Sequence, residues 1–413
     1  MSATMTPGSA PPYYDPYDSA IDADPYPVWK RLRDEAPLYY NEQHGFYALS
    51  RFADVHAASV DWQTYSSARG TVIEMIDTTP DLATGDGGTD AGDPSLGMMI
   101  FMDPPRHDDL RRLVSRAFTP RRVAALEART RQLCARFLDP HRAGSEFDYV
   151  EEFAAKIPTM IIGALLGVPE EDQDALRILG DQMLRFDDSG SGASLDAFAK
   201  FGAYMQTLVD HRRATPRDDM VSDLLAAEIT REDGTARRLD NGEVMAFITL
   251  LEIAGSETTA RLLGWAAVLL ARHPEQRAAL RANIDLVPNA VEELLRYEPP
   301  SPIQARLVTR DVEWYGTTVP AFSKIALLTG SAGRDEREFA NPDRFDVARD
   351  FDRHMSFGYG VHFCLGANLA RLEARVVLEE TLSRLPDWEI EEAEIELVRT
   401  STVRGPTRVP IRT

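Results

Sequence analysis

Cysteine is nearly absent: in 413 residues there are two, Cys134 and Cys364. Two cannot build a disulfide framework, nor can they supply a four-ligand zinc site by themselves, so each needs its own explanation. Lysine is scarce as well, since only Lys30, Lys156, Lys200 and Lys324 stand among 45 basic residues. Against 66 acidic residues this leaves a formal net charge of -21. Nucleic-acid affinity comes largely from basic residues displacing counterions, so nucleic acid is excluded as a partner. No apolar run approaches the roughly 18 residues that span a bilayer. Residues 1–25 hold neither a basic region nor an apolar stretch of the secretory kind. The expectation is a cytoplasmic protein that meets no membrane. There is no linker, internal repeat or low-complexity block, which predicts a tail over 1–24 and a single domain over 25–413. That exceeds the roughly 250–300 residues at which one core usually stops growing, unless a buried cofactor helps to organise it.

What the chain does contain is helical periodicity. It predicts a short helix over Pro25–Ala36, then helices over 106–118, 120–140, 149–166, 170–187, 195–214, 219–229 and 240–272. The last opens on Asp240 with Glu243 three residues on and closes before Pro274, long enough at about 1.5 Å per residue to cross the whole molecule. Further helices are expected over 275–283, 288–297 and 364–384. Alternating aromatics from Leu38 to Leu49 predict a hairpin around His44-Gly45, and β-like stretches cover 303–327 and 387–413. The fold class is therefore mainly α with small β-sheets: a helix-rich body and a smaller β-containing region from both ends of the chain. Between Ser67 and Asp103 lies a long non-periodic stretch ending in Met98-Met99-Ile100-Phe101-Met102. A loop of that length is usually functional, and its apolar end is expected to enter a binding cavity.

The segment Phe357-Gly358-Tyr359-Gly360-Val361-His362-Phe363-Cys364-Leu365-Gly366 concentrates glycines, aromatics and a histidine ahead of a helix expected to open at Cys364. Gly358 and Gly360 permit a tight turn, Gly366 permits close approach to a flat ligand, and amides at a helix start stabilise a thiolate. Cys134 lies in a helical run with no such neighbours and reads as a packing residue. The spacing of Phe357, Gly360, Cys364 and Gly366 resembles the cytochrome P-450 superfamily signature FxxGxxxCxG, and the resemblance extends over almost the entire chain.

The resemblance implies haem b held by Cys364, with Ala254, Phe357, Gly358 and Gly366 against the macrocycle. In the run Ala254-Gly255-Ser256-Glu257-Thr258-Thr259, Glu257 would be the acid and Thr258 the alcohol that guide protons to O2. Glycine and hydroxylated residues there predict a local distortion of the long helix. Glu252 breaks the apolar pattern without an assignable role. His107, Arg111, Arg306 and His362 would hold the haem propionates. Glu293 and Arg296 resemble the ExxR pair, and Asn341-Pro342-Asp343-Arg344-Phe345 the segment that supplies its second arginine. By analogy the pocket is lined by Phe247, Leu250, Leu251, Ala254, Pro302-Ile303-Gln304 and Ser401-Thr402, all suited to a hydrophobic small molecule. The activity implied is monooxygenation, a hydroxylation or epoxidation, with electrons from NAD(P)H through ferredoxin reductase and ferredoxin to a monomeric enzyme. An arginine island at 106, 111, 112, 116, 121 and 122 is expected to dock the acidic ferredoxin. The rival readings are a peroxygenase or isomerase on the same scaffold, a haem protein that only binds ligands, and a helical binding protein without haem.

Overall fold

The computed structural model describes residues 10–76, 98–141, 144–184, 194–230, 235–398 and 400–413. Its architecture is mainly helical with small sheets. The central helix, Asn241–Arg272, has 32 residues. Asp240 caps it by accepting from the Glu243 amide at 2.8 Å, while the Glu243 carboxylate accepts from the Asp240 amide at 3.0 Å. It packs against the helices Lys156–Leu166, Leu195–Ala214 and Ala367–Arg384, and most of the main apolar core surrounds it.

The expected distortion at 254–259 is absent, because the helix runs unbroken through these residues. Ser256 donates to the Glu252 carbonyl at 2.6 Å and Thr258 to the Ala254 carbonyl at 2.9 Å. These hydroxyls bond to the preceding turn and supplement the ladder where they could have competed with it. Gly255 serves packing: a Cβ there would lie 3.2 Å from Ile162 on the crossing helix.

Other boundaries move. The 106–118 helix ends at Ser115, and 120–140 divides into Pro120–Ala124 and Glu127–Leu138. A π-turn, Val150–Ala154, precedes Lys156–Leu166. The 219–229 helix stops at Ala226, after which Glu228–Thr230 pairs antiparallel with Ala236–Arg238. Helix 170–187 is seen from Glu170 to Leu184, and its last three residues lie outside the described residues. Phe52–Val60 is a helix that periodicity did not predict.

The larger sheet has five strands in the order Leu38–Asn41, Phe46–Leu49, Lys324–Leu327, Gln304–Val308, Tyr65–Ser66. The first two form the expected hairpin, with Gly45 at φ 61° in its turn. Lys324–Leu327 joins chain segments almost 300 residues apart by running parallel to Phe46–Leu49 and antiparallel to Gln304–Val308. No single helix among the described residues is long and apolar enough to cross a membrane.

Candidate active site

The central helix, the helix Ala367–Arg384, the strand Gln304–Val308 and the cysteine loop line a cavity of about 320 Å³. That volume lies within the roughly 300–1,000 Å³ of ordinary ligand pockets.

Its floor is the cysteine loop. The Cys364 amide donates to the Phe357 carbonyl at 2.8 Å, and the Gly358 amide to Met355 at 2.9 Å, which folds the segment back on itself. Gly358 and Gly360 adopt φ of 65° and 72°, and a Cβ on Gly360 would meet the Ser59 carbonyl at 2.9 Å. Contrary to expectation, the helix opens at Ala367, three residues beyond the cysteine. The Gly366 amide, with Arg111 and Arg371, opposes the burial that pushes the Cys364 thiol up. Cys364 is half-buried and lines the cavity. Phe357, Gly358 and Gly366 line the same space, and Ala254 faces it from the central helix. Cys134 is fully buried in the core, its thiol pushed up to about 12 by burial.

Beneath the loop lies a buried ionic lock. Arg296 donates to both Glu293 oxygens at 2.7 and 2.8 Å, and both side chains are 0% exposed. The other Arg296 nitrogen reaches the carbonyls of Gly333 at 2.7 Å and Pro342 at 2.9 Å. The second arginine on Glu293 is Arg349, at 3.2 Å, and not Arg344 from the segment the motif indicated. Arg344 turns its exposed side chain toward Asp346 and contributes its carbonyl, which accepts from Arg349 at 2.6 Å. Sequence reasoning also missed Glu292. Its carboxylate accepts from Arg371 at 2.7 and 2.9 Å and bonds His354 at 3.0 Å, clasping the loop on both sides. Its neighbours outweigh burial and hold the carboxyl down at about 2. The signal was there in adjacent glutamates, of which only one fits the motif.

At one edge of the cavity the four expected cationic groups come together. Arg111, Arg306 and His362 line it, while His107 is set behind, its ring centroid 4.5 Å from that of His362. The Nε2 atoms of both histidines are buried without a hydrogen-bond partner. Burial first, then Arg306, His107 and Arg111, brings His362 down to about 3. Burial alone brings Arg306 down to about 10, with Asp103 opposing. Arg111 also donates to the Phe363 carbonyl in the cysteine loop. Arginines gathered beside partnerless imidazole nitrogens are the complement of an anion, so this edge fits a ligand carrying carboxylates.

The opposite wall separates the expected proton-relay pair. Thr258 and Thr259 line the cavity, but Glu257 does not. Glu257 is buried on the helix flank, accepting from Arg261 at 2.9 Å, and Arg261 lies 3.6 Å from Asp181. Glu252 is also buried off the cavity, with both oxygens unpartnered, and burial pushes it up to about 8. Glu373, at the cavity edge, is pushed up to about 8 by the same cause.

Of the expected substrate lining, Phe247, Leu250, Leu251, Ala254 and Gln304 are present, with Met99 and Ile100 from the run before Asp103; residues 77–97 of that loop lie outside the described residues. Pro302, Ile303, Ser401 and Thr402 are not on this cavity; they line a separate small pocket with Tyr14 and Trp29. For Ile303 alternation is the reason, since Gln304 and Arg306 share one face of the strand and Ile303, just before it, turns to the other.

Comparison with known proteins agrees with a helical fold built around a buried cysteine loop. A family model described as Cytochrome P450 matches residues 183–403. The chain is 40% identical over 401 residues to Putative cytochrome P450 123 of Mycobacterium tuberculosis, covering 96% of each. It is 36% identical to Vitamin D(3) 25-hydroxylase of Pseudonocardia autotrophica, again over 96% of each. The solved structure of cytochrome P450 CYP109Q5 from Chondromyces apiculatus superposes with a TM-score of 0.83 at 37% identity, covering 97% of both chains. The chain belongs to the cytochrome P450 family. It is a haem monooxygenase that uses haem b, O2 and a small-molecule substrate.

Proposed function

We propose that Cys364 is the haem iron ligand and that the enzyme hydroxylates or epoxidises a hydrophobic small molecule. The observation that carries this reading is Cys364 lining the cavity that Arg111, Arg306 and His362 also line. When bound, haem with a cysteinate ligand supplies O2 activation, electron density from sulfur favouring O–O cleavage. Arg111, Arg306, His107 and His362 would hold the two propionates, and Phe357, Gly358, Gly366 and Ala254 would pack against the ring.

Thr258 is the hydroxyl that moves protons at the cavity wall. At rest it donates to the Ala254 carbonyl, so it must rotate to serve the cavity. Glu257 is the acid behind it and must first release Arg261. Proton delivery of this kind needs a group within hydrogen-bond reach, directly or through one water. The apolar lining from Phe247, Leu250, Leu251, Met99 and Ile100 supports a hydrophobic substrate, as does similarity to a vitamin D(3) hydroxylase.

Electrons arrive from NAD(P)H through a ferredoxin reductase and an acidic ferredoxin. In support, Arg112, Arg116, Arg121 and Arg122 are exposed on the segment whose Arg111 touches the cysteine loop. The enzyme is a cytoplasmic monomer with one domain over residues 25–413. The test is the carbon monoxide complex of the reduced protein. Its strongly red-shifted Soret band is expected in the wild type and lost in Cys364→Ser; persistence of the band in the variant would sink the thiolate assignment.

A further inference from the structure

The cavity wall, apolar around Phe247, Leu250 and Leu251, turns polar where the strand Gln304–Val308 begins. There Gln304 Nε2 donates to Ser301 Oγ at 2.7 Å and approaches Thr402 Oγ1 at 3.4 Å. The amide could in principle be turned the other way, because nitrogen and oxygen differ only by their hydrogen bonds. In the structure Ser301 donates to the Thr402 carbonyl at 3.1 Å and Thr402 to the Ile303 carbonyl at 2.7 Å, so both hydroxyls accept from Gln304 and the NH2 faces them.

Gln304 Oε1 is thereby left over. No donor among the described residues reaches it, and the side chain, half-buried, borders the cavity beside Ser301 and in register with Leu327. Arg306, two residues along on the same face, gives a proton to the Ala305 carbonyl and is not its partner. A haem propionate cannot be its partner either, because a carboxylate has no proton to offer an amide oxygen. A second molecule in the cavity can supply that donor.

Resting on the monooxygenase reading above, we infer that the substrate carries a hydroxyl or N–H group on its hydrophobic skeleton, and that Gln304 Oε1 accepts its proton. This makes Gln304 a specificity-determining residue. It favours a monohydroxylated terpenoid, steroid or long-chain skeleton over the parent hydrocarbon or the ketone, and it places the donor at the Ser301–Gln304 edge of the wall. A ketone or ether offers only lone pairs and would set two acceptors against each other.

The test is spin-state titration of the haem-loaded enzyme with matched alcohol and ketone pairs: menthol and menthone, androstan-3β-ol and androstan-3-one, dodecan-2-ol and dodecan-2-one. In at least one pair the alcohol is expected to bind about five- to tenfold more tightly, the contribution of one hydrogen bond. Gln304→Leu should bring that alcohol down to the affinity of its ketone while leaving the ketone unchanged. The inference is overturned if no alcohol binds more tightly than its ketone, or if the preference survives in Gln304→Leu. Ser301→Ala, which frees the amide to turn over, should weaken the preference without removing it; full retention there also counts against the inference. The carbon monoxide band is recorded on every sample. An intact band with no alcohol preference overturns this inference alone, whereas a wild type without the band overturns the haem-thiolate reading beneath it.

Discussion

The molecule treats buried carboxylates in two opposite ways. Under the cysteine loop, Glu293 is fully buried against Arg296 and Arg349, and half-buried Glu292 is held ionised by Arg371 and His354. In the central helix Glu252 is just as buried but unpaired, and it keeps its proton to about 8. The difference follows the backbone. The loop region from Gly333 to Phe363 has little regular structure, so its carbonyls need donors, and a buried arginine held by a glutamate supplies several at once. The helix satisfies its own backbone and gains nothing of that kind from a charge. An ionised network therefore specifies an irregular loop, whereas a lone acid in a helix only burdens stability.

Breaking the paired site should have the largest effect. Glu293→Ala strands Arg296 as a buried charge and should cost about 3–5 kcal/mol, enough to leave little folded, haem-competent protein; thermal unfolding with haem content checks it. A near-normal melting temperature would contradict the role of the lock. Next is the unpaired site, where the sign reverses. Between the ordinary carboxylate pKa and about 8, folded Glu252 holds a proton that the unfolded chain has released, so stability falls as pH rises, by up to about 1.4 kcal/mol per unit. Above about 8 both states are ionised and the slope ends. Glu252→Gln should flatten urea-unfolding stability between pH 5 and pH 8, and an unchanged slope would mean that the acid has found a partner.

Glu292 should show the mirror image at smaller amplitude. Its carboxyl is held at about 2, so its contribution is complete above the ordinary carboxylate range and is lost as pH falls toward about 2. Glu292→Gln should lower stability at neutral pH by about 1–2 kcal/mol and leave it unchanged at pH 2. The smallest effect on the fold belongs to the surface. Neutralising Arg112 and Arg116 should leave the unfolding free energy within about 0.5 kcal/mol of wild type, yet slow reduction by ferredoxin at low salt. Equal rates with and without the arginines would remove the docking proposal.

Much of this was legible in the chain before it was folded. The central helix was readable to within one residue because Asp240, Glu243 and Pro274 mark its ends by local capping. The cysteine loop was readable because its glycines are needed for φ values that other residues resist. The helix start after Cys364 was misplaced, since the residues up to Gly366 satisfy their backbone through the loop and leave the helical ladder to begin at Ala367. Motif position pointed to the segment around Arg344, but which arginine reaches Glu293 depends on how an aperiodic stretch is routed, and that chose Arg349.

The sequence by itself determined the family, the single cysteine suited to an iron ligand, the identity of the cationic residues and the helical period of the body. These depend on residue types at fixed short spacings, which survive without knowledge of the fold. Tertiary structure decided what lies more than one helical turn away: that Glu257 faces Arg261 and not the cavity, that Glu292 clasps the loop, and that Gln304 points inward while Ile303 does not. Those outcomes are set by which face of an element meets which neighbour, and elements such as Phe46–Leu49 and Lys324–Leu327 meet across almost 300 residues of chain.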